Sequence, residues 1–598
     1  MQWTSQQWLE SLVWIARTYL FVLVGFALVA AGLGRFTRWG RQFVRLAGSY
    51  FDPRRDWRPL AAAALVLLLA IAGVRLNVLL SYWNNGFYDS VQALDAKAFW
   101  FFMGLFGLLA TLHVLRVLVA FYVAQAFEIR WRTWMNDRLT DDWLAGSAYY
   151  RARFVPNPTD NPDQRIQVDV GSFVSSTRSL AIGAVDAVVS LVTFTLILWN
   201  LSGPIAFGGI EVPRAMVFLV YVYVIVASVF AFWLGRPLIR LNFLAEKLGA
   251  DFRYALIRLR EYAENVAFYR GEAVERATLR RRFDEVIRNL WAIVFRSMKF
   301  DGFNLAVSQA AVVFPFLLQA QRFFSGQIKL GDVMQTSQAF GQVQDALSFF
   351  RLSYDAFAQY RAVLDRLTGF LDVDEQARAL PGVRIDTDHD TLEIDALDVR
   401  RPDGAVLVRG LGLKLAPGDA LLVQGASGAG KTTLLRALAG LWPFAGGRVR
   451  APLGRDALFL PQRPYLPLGT LRAALAYPDA EVGDTQAQAA LERAQLAHLS
   501  GHLDAEADWS QQLSIGEQQR LAFARVLLKQ PRLVFLDEAS SAMDEGLEHA
   551  MYTLLRRELP DCIVVSVGHR RTLHAFHTHR LQLEGEARWL LGPAAAAT

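Results

Sequence analysis

Long apolar runs recur through the first 350 residues of the chain and then give way to a more polar region. Six runs have the roughly 20 residues that an α-helix needs to cross about 30 Å of hydrocarbon. They lie near 12–34, 59–83, 98–127, 181–202, 215–235 and 303–324. A seventh run, near 330–352, is weaker because polar residues such as Asp332, Gln335 and Gln338 interrupt it. We predict that this run is the last helix of a bundle that lines a polar pathway.

Basic residues in the loops predict the orientation of these helices. Several arginines lie between the first two runs, whereas residues 1–10 contain no Lys or Arg. Because Lys and Arg concentrate on the cytoplasmic side of a membrane, we expect the N-terminus to lie outside. The first run lacks the positive flank of a cleavable signal peptide, so we interpret it as an extra helix ahead of a six-helix set. With seven crossings, the chain beyond residue 355 returns to the cytosolic side.

The long loops at 128–180 and 236–302 are rich in arginine and are predicted to lie in the cytosol. Both keep the apolar spacing of a helix, so we expect them to extend the membrane helices into the cytosol. The loops at 84–97, 203–213 and 325–329 are then expected to lie outside.

Composition agrees with a membrane protein of more than one domain. The chain has 598 residues, of which 53% are hydrophobic, and a formal net charge of +6. Its arginines cluster beside apolar segments, so membrane topology explains the charge more simply than nucleic-acid binding, which we do not expect. The single cysteine, Cys562, lies in an apolar run and is interpreted as a buried structural residue.

The more polar part of the chain contains a phosphate-binding pattern. Residues 371–391 are interpreted as a linker, and the second domain spans 392–598. Within it, residues 421–433 (LLVQGASGAGKTT) join an apolar strand, a glycine-rich turn and the start of a helix. This spacing matches the Walker A pattern and predicts binding of ATP with Mg²⁺.

Each residue of this loop has an expected role. Lys431 is expected to reach the β- and γ-phosphates, and the hydroxyl of Thr432 is expected to bind Mg²⁺. The remaining predicted nucleotide contacts in the loop are Gly425, Ser427, Gly428, Gly430 and Thr433.

A second pattern supplies acidic groups. Residues 533–538 (LVFLDE) form an apolar run that ends in two carboxylates, as in a Walker B strand. Asp537 is expected to hold Mg²⁺, and Glu538 is expected to act on the attacking water as a general base or positioning group.

Further motifs resemble those of ATP-binding-cassette (ABC) proteins. Residues 513–520 (LSIGEQQR) open a helix and resemble the ABC signature, which places Ser514, Gly516 and Glu517 near an anion. Gln462 resembles the Q-loop glutamine, the segment ending at Asp544 resembles the D-loop, and His569 resembles the switch histidine. The resemblance implies catalytic roles for Glu538, His569 and Gln462, a Mg²⁺ contact for Gln462, and a nucleotide contact for Asp544.

The resemblance also implies an architecture. It is an α-helical transmembrane bundle (1–370), of an exporter-type six-helix set plus one N-terminal helix, fused to an α/β P-loop ABC nucleotide-binding domain. Because the signature of one ABC domain closes over ATP on another, a chain with one such domain implies a homodimer with two ATP sites. The implied activity is ATP hydrolysis coupled to transport.

Three positions depart from the family pattern, two of them in the signature. Ile515 replaces the second glycine of the signature, and Glu517 stands where glutamine is common. Arg401, in the segment 399–404 (VRRPDG), occupies the place of the aromatic residue that stacks on adenine in many ABC proteins. A guanidinium plane can also stack on adenine, so we include Arg401 among the predicted nucleotide contacts.

The helical part resembles one branch of the ABC family. The segments that carry the likeness are 84–90 (NNGFYDS), 161–166 (NPDQRI) and 264–271 (ENVAFYRG). This branch contains peroxisomal acyl-CoA half-transporters of subfamily D and the bacterial SbmA/BacA-type carriers of peptides and cobalamin. The likeness implies a multi-pass protein of the bacterial inner membrane, in contact with lipid, that takes up small hydrophilic or peptide cargo.

Other functions stay open at this point. Export, or transport of cargo of the lipid or acyl-CoA type, is one alternative, and a membrane-anchored sensory or regulatory ATPase without cargo is another. Polar residues within the apolar runs are candidates for the cargo path, with internal helix pairing as the alternative for each. These candidates are Arg75, Asn77, His113, Arg116 and Asp186.

Overall fold

The computed structural model describes residues 6–158, 161–203, 205–207, 210–479, 481–585 and 587–594. The first five residues of the predicted external N-terminus, and parts of the predicted 203–213 loop, lie outside these described residues. The chain divides into two compact units, which we call the helical unit and the sheet unit. The helical unit comprises Met1–Thr140 and Asn161–Phe370, and the sheet unit comprises Asp141–Asp160 and Leu371–Thr598.

Every predicted apolar run lies in a helix. In chain order the helices are α1 (Gln6–Phe36), α2 (Arg38–Ala47), α3 (Arg58–Gln92), α4 (Ala96–Leu144), α5 (Ala148–Arg151), α6 (Pro162–Gln164), α7 (Val170–Leu201), α8 (Ala215–Glu261), α9 (Ala263–Tyr269), α10 (Glu272–Phe324) and α11 (Leu330–Ala379). A short hairpin, β1 (Ile205–Phe207) with β2 (Ile210–Val212), joins α7 to α8.

Six of these helices are long and apolar enough to cross a membrane, namely those that contain the first six predicted runs. Their outer faces carry large apolar side chains in the open, such as Leu20, Phe21 and Leu28 of α1 at 62%, 67% and 68% exposure. Such continuous apolar surface suits contact with lipid rather than water. The seventh run is helical within α11, and its crossing of the membrane stays a prediction.

The loops at 128–180 and 236–302 are predicted to extend the membrane helices. The structure confirms that helices α4, α8 and α10 continue into these loops. α4, α8 and α10 contain 49, 47 and 53 residues. At 1.5 Å per residue each helix is roughly 70–80 Å long, which exceeds a bilayer.

Two of the polar residues that interrupt the seventh run, Asp332 and Gln338, pair with α3. Asn85 donates a hydrogen bond to Asp332 (Nδ2–Oδ1 2.9 Å), and Asn84 donates to Gln338 (Nδ2–Oε1 2.8 Å). The backbone N–H of Gly331 donates to Asp89 at 3.1 Å. These polar side chains therefore join two helices of the bundle.

The boundary of the predicted helical domain, 1–370, requires a correction. Residues 141–160 belong to the sheet unit, where the Phe154 ring packs edge-on against Trp442 (centroids 5.1 Å apart) and Phe444 (5.8 Å). The predicted linker also begins as helix, since α11 continues to Ala379. Arg151 donates to the carbonyl oxygen of Pro381 at 2.9 Å and so ties the inserted segment to the chain that follows α11.

The sheet unit has two main sheets. The remaining helices are α12 (Lys431–Leu438), α13 (Leu471–Ala476), α14 (Asp484–Arg493), α15 (Trp509–Gln512), α16 (Ile515–Lys529) and α17 (Glu545–Glu558). The strands are β3 (Arg384–Asp386), β4 (Leu392–Arg400), β5 (Val406–Leu415), β6 (Ala420–Gly425), β7 (Ala445–Arg450), β8 (Ala457–Leu460), β9 (Gly469–Thr470), β10 (Glu506–Ala507), β11 (Leu533–Asp537), β12 (Ile563–Val567), β13 (His579–Gly585) and β14 (Arg588–Pro593).

The larger sheet has the order β14-β13-β6-β12-β11-β8, and its neighbours from β13 to β8 run parallel. The second sheet has the order β3-β7-β4-β5. Apolar runs such as 533–536 are buried on both faces of the larger sheet, as a parallel sheet covered by helices requires. Cys562, directly before β12, is 3% exposed, which confirms its interpretation as a buried residue.

Candidate ATP site

Four loops with predicted roles follow neighbouring parallel strands of the larger sheet. They follow β6, β12, β11 and β8, which lie side by side in that order. Parallel strands present their carboxyl ends at one edge of a sheet, where ligands bind in open α/β folds. The topology therefore brings the glycine-rich loop, Gln462, Glu538 and His569 to one edge.

The glycine-rich loop has a backbone that only glycine adopts easily. Gly430 has φ +99° and immediately precedes α12, while a Cβ on Gly425 would lie 2.6 Å from the carbonyl oxygen of Leu583. The first N–H groups of α12 thus open onto the loop, as an anion site requires. The Lys431 ammonium donates to the carbonyl oxygens of Gly425 (3.0 Å) and Ala426 (3.1 Å), so it lies across the same loop.

The other predicted nucleotide contacts lie in the same loop as the Lys431 ammonium. Ser427 and Gly428 are exposed within the turn, and Thr433 is half-buried in the first turn of α12. They are therefore within the loop itself, with no contact that argues against their predicted roles.

Thr432 and Asp537 meet at this edge. The Thr432 hydroxyl donates to Asp537 (Oγ1–Oδ1 3.2 Å). Burial raises the pKa of Asp537, and the Thr432 hydrogen bond partly offsets that increase. A hydroxyl and a carboxylate oxygen are the ligands that Mg²⁺ prefers, and Mg²⁺ completes its shell with phosphate and water oxygens. The residues present therefore fit a Mg²⁺ site with few protein ligands.

Glu538 is held in an unusual backbone conformation between two partners. Its φ is +50°, a left-handed value that is uncommon for a residue with a side chain. Gln462 donates to one carboxylate oxygen (Nε2–Oε2 3.1 Å), and the imidazole of His569 lies 3.5 Å from the other. Strained residues of this kind cluster at active sites. The structure thus brings all three predicted catalytic residues together.

The signature segment forms the start of α16. Ser514 is its N-cap: its hydroxyl accepts from the Glu517 N–H at 3.3 Å, and the Glu517 carboxylate accepts from the Ser514 N–H at 3.0 Å. This reciprocal capping box gives the Glu517 side chain a structural role at the start of α16. The Ser514 hydrogen bonds and His498 lower the pKa of Glu517, which keeps the carboxylate charged.

Asp544 caps the next helix. Its carboxylate accepts from the N–H of Leu547 at 2.8 Å at the start of α17. Gly516 lies against the same loop, because a Cβ there would approach the Ala542 carbonyl oxygen to 3.1 Å. The D-loop and the signature helix are therefore in direct contact.

Comparisons with known proteins agree with this arrangement. Residues 46–324 match the family model "ABC transporter transmembrane region 2", and residues 408–541 match the model "ABC transporter". A Haemophilus influenzae protein described as an uncharacterized ABC transporter ATP-binding protein is 48% identical over 98% of this chain and 99% of its own length. The chain belongs to the ABC transporter family.

A further relative and a solved structure add to this comparison. ABC transporter D family member 2, chloroplastic, of Arabidopsis thaliana is 32% identical over 92% of this chain and 86% of its own length. A solved bacterial Atm1-family ABC exporter with ATP bound aligns with a TM-score of 0.68 and 18% identity, over 91% of this chain and 96% of that one. The first relates the chain to subfamily D, and the second confirms the predicted fold.

Membership establishes the general activity of this ABC protein. It is a membrane protein with several apolar helices whose nucleotide-binding domain binds ATP, and it couples ATP hydrolysis to transport. It is a half-transporter, a type that is typically dimeric. Cargo and direction are not determined by these relatives.

The adenine position of this ABC transporter remains a prediction. The Arg401 guanidinium pairs with Asp403 (Nη2–Oδ2 3.1 Å) and is 59% exposed. It lines a cavity of about 500 Å³ together with Pro402, Gly404 and Phe444. An exposed guanidinium beside a cavity has room to stack on a ring.

The intramembrane candidates divide into two kinds. Arg75 is buried: its guanidinium donates to Ser11 (Nη2–Oγ 3.0 Å) and lies 5.4 Å from the ring centre of Trp14, so it joins α3 to α1. Arg116 donates to the Leu69 carbonyl oxygen at 3.1 Å. For these two arginines the structure supplies the helix pairing that was the alternative to a cargo role.

The other three candidates are less firmly paired with neighbouring helices. Asn77 and His113 are half-buried, and Nδ1 of His113 has no hydrogen-bond partner among the described residues. Asp186 is exposed and close enough to Arg116 to interact with its charge.

Gln319, which the sequence did not single out, is 2% exposed, and neither polar atom of its amide has a partner in the described part of the chain. In the sequence, a single glutamine inside an apolar run has no motif or spacing that marks it as functional.

Proposed function

We propose that two copies of this chain form a transporter that takes up hydrophilic cargo across a bacterial inner membrane, powered by two shared ATP sites. The observation that carries the ATPase part is the contact of Gln462 and His569 with Glu538, beside the glycine-rich loop.

In the proposed mechanism, Lys431 and the N–H groups at the start of α12 bind the phosphates. Thr432, Asp537 and Gln462 would hold Mg²⁺, which would neutralise developing phosphate charge. The Glu538 carboxylate orients the attacking water and accepts its proton, while Gln462 and His569 hold that carboxylate in place. Arg401 stacks on the adenine ring.

The second copy supplies the other half of each site. Ser514, Gly516 and Glu517 of one protomer face the phosphates bound to its partner, and Asp544 lies beside them. The capping box supports this proposal because it fixes the N-terminus of α16, where helix N–H groups attract an anion.

A pair of complementary variants tests the shared site. Lys431→Ala damages the loop, and Ser514→Arg damages the signature; each alone should abolish hydrolysis. In a co-purified mixed dimer, one site carries both lesions and the other is intact, so roughly half of the wild-type activity should return. If the mixed dimer is as inactive as its parents, each chain works with its own signature and the proposal is wrong.

The hydrophilic nature of the cargo is proposed from two supports. One is the presence of polar side chains within the bundle, above all buried Gln319, whose amide has no partner among the described residues. The other is the resemblance to SbmA/BacA-type carriers, which suggests peptides or cobalamin. The arginine-rich loops support an N-terminus in the periplasm and an ATPase domain in the cytoplasm.

Paired transport assays test cargo and direction together. Labelled cobalamin, peptides and acyl-CoA are offered to intact cells and to inverted vesicles, with Glu538→Gln as the inactive control. The proposal expects ATP-dependent entry of cobalamin or peptide into intact cells and no accumulation in inverted vesicles. Accumulation of acyl-CoA, or accumulation only in inverted vesicles, would overturn it. ATP hydrolysis that no cargo stimulates, without transport of any probe, would favour a sensory ATPase.

A further inference from the structure

A buried glutamine connects three of the motifs around the ATP site. Gln519 lies in the second turn of α16 and is 0% exposed. Its side-chain amide donates to the backbone carbonyl oxygen of Gln462 (2.9 Å) and to the Ser541 hydroxyl (3.3 Å). Its side-chain oxygen accepts from the backbone N–H of Ala542 at 3.0 Å. One side chain thus binds the loop after β8 and the loop after β11.

Both partner loops carry groups that act on Glu538. Gln462 uses its side chain to donate to the Glu538 carboxylate, while its own backbone is held by Gln519. Ser541 and Ala542 follow Glu538 closely in sequence, and the Ser541 N–H donates to the Glu538 carbonyl oxygen at 3.0 Å. Gln519 therefore constrains Glu538 from two sides without touching it.

A second observation indicates that α16 packs closely against the loop after β11. The Gly516 position allows α16 to approach the backbone at Ala542, where a Cβ would be only 3.1 Å from the carbonyl oxygen. The glycine and the glutamine lie three residues apart and so face the same side of the helix. That side of α16 is packed against the loop that follows the catalytic strand.

We infer that Gln519 is a positioning residue for ATP hydrolysis, which sets the places of Gln462 and of residues 541–542 around Glu538. This inference rests on the roles proposed above for Glu538 and Gln462. It predicts that Gln519 affects the rate of the chemical step and leaves ATP binding largely unchanged, because it reaches the reaction only through other residues.

The contacts of Gln519 also predict little cost in stability when they are lost. Gln462, Ser541 and Ala542 are themselves exposed, so water can replace the lost partner. Leucine is similar in size to glutamine and suits a buried position. Gln519→Leu should therefore leave the protein folded while the two loops lose their fixed positions.

The experiment measures ATP hydrolysis by the full-length protein in liposomes. Gln519→Leu should lower kcat by roughly ten- to a hundredfold and change the KM for ATP by no more than about twofold. The control is Tyr552→Phe, which removes another buried hydrogen bond in the same unit (to Ser566, 3.3 Å) and should keep the wild-type kcat.

A conservative variant separates positioning from packing. In Gln519→Glu the ionised side chain cannot donate to the Gln462 carbonyl oxygen, but the protonated acid can. Burial beside that carbonyl raises the pKa of a carboxyl group. The ratio of the Gln519→Glu rate to the Gln519→Leu rate should therefore increase as the pH falls from about 8 to about 6.

Each outcome decides the inference. A wild-type kcat in Gln519→Leu, a loss that appears in KM instead, or a ratio that does not change with pH would overturn it. Glu538→Gln is measured in parallel: if that variant still hydrolyses ATP, the roles proposed for the site fail. If Glu538→Gln is inactive and Gln519→Leu is fully active, only the role of Gln519 fails.

Discussion

The edge of the larger sheet and the interior of the helical unit both gather polar side chains, but they use them differently. At the sheet edge, Gln462 and His569 each contact Glu538 in loops that follow parallel strands, where a ligand can still reach them. In the helical unit, Arg75 and Asp332 are occupied by partners on neighbouring helices. The side chains of Arg75 and Asp332 thus join helices, whereas the polar side chains after the parallel strands are placed to bind a ligand.

The largest expected effect comes from the sheet edge. Lys431→Ala removes the ammonium that lies across the glycine-rich loop, and we expect ATP hydrolysis to fall by roughly a hundredfold or more. The matched variant in the helical unit is Ser11→Ala, which removes the acceptor of Arg75 and should keep hydrolysis within about twofold of wild type. Equal losses of ATP hydrolysis in the two variants would contradict the difference between the two regions.

A smaller effect is expected from an ion-pair cluster in the helical unit. Asp169 is 2% exposed and accepts from Arg366 (Nη2–Oδ1 2.6 Å, Nε–Oδ2 2.8 Å) and from Arg165 (3.0 Å). Asp169→Asn should destabilise the protein by on the order of 2 kcal/mol, since it leaves two guanidinium groups without their charged partner.

Thermal unfolding in detergent measures this change. The same variant at an exposed pair, Asp365→Asn beside Arg38, serves as the control and should shift the melting temperature little. A similar shift in both variants would mean that burial of Asp169 does not strengthen its pairing.

The last effect depends on pH. Asp374, near the end of α11, is 1% exposed, and neither carboxylate oxygen has a hydrogen-bond partner among the described residues. Burial raises its pKa to about 6, with Arg378 opposing and Asp142 adding to the increase. Because the folded-state pKa lies above the unfolded value, the charged group destabilises the fold as the pH rises through about 4 to 6, and the full penalty is present above 6.

Asp374→Asn removes that penalty. We expect the variant to raise the melting temperature at pH 8 and to have little effect near pH 4, as measured by thermal unfolding across that range. A stabilisation that is constant across the pH range would show that charge at Asp374 is not the cause.

Much of the ATP site could be predicted because its chemistry lies in short segments. The glycine-rich loop, the acidic strand end and the signature each combine a spacing with a strand or helix boundary, and this local pattern places Lys431, Asp537 and Ser514. The contact between Gln462 and Glu538 follows from strand order, because both residues follow parallel strands of one sheet.

Other features depend on contacts between distant parts of the chain. Gln519 looks like one more polar residue of a helix until its partners 23 and 57 residues away are known. Phe154 belongs to a predicted helical arm, and contacts such as its packing on Trp442 assign residues 141–160 to the sheet unit. The polar run after residue 370 was interpreted as a linker, although α11 continues through it to Ala379.

The central claim is that Glu538 acts on the attacking water at an ATP site made of the loops described here. The most direct measurement is steady-state ATP hydrolysis by the liposome-reconstituted protein and by Glu538→Gln, with ATP binding measured on the same samples. We expect Glu538→Gln to bind ATP as the wild type does and to lose at least roughly a hundredfold in hydrolysis. Hydrolysis at the wild-type rate in this variant would contradict the account.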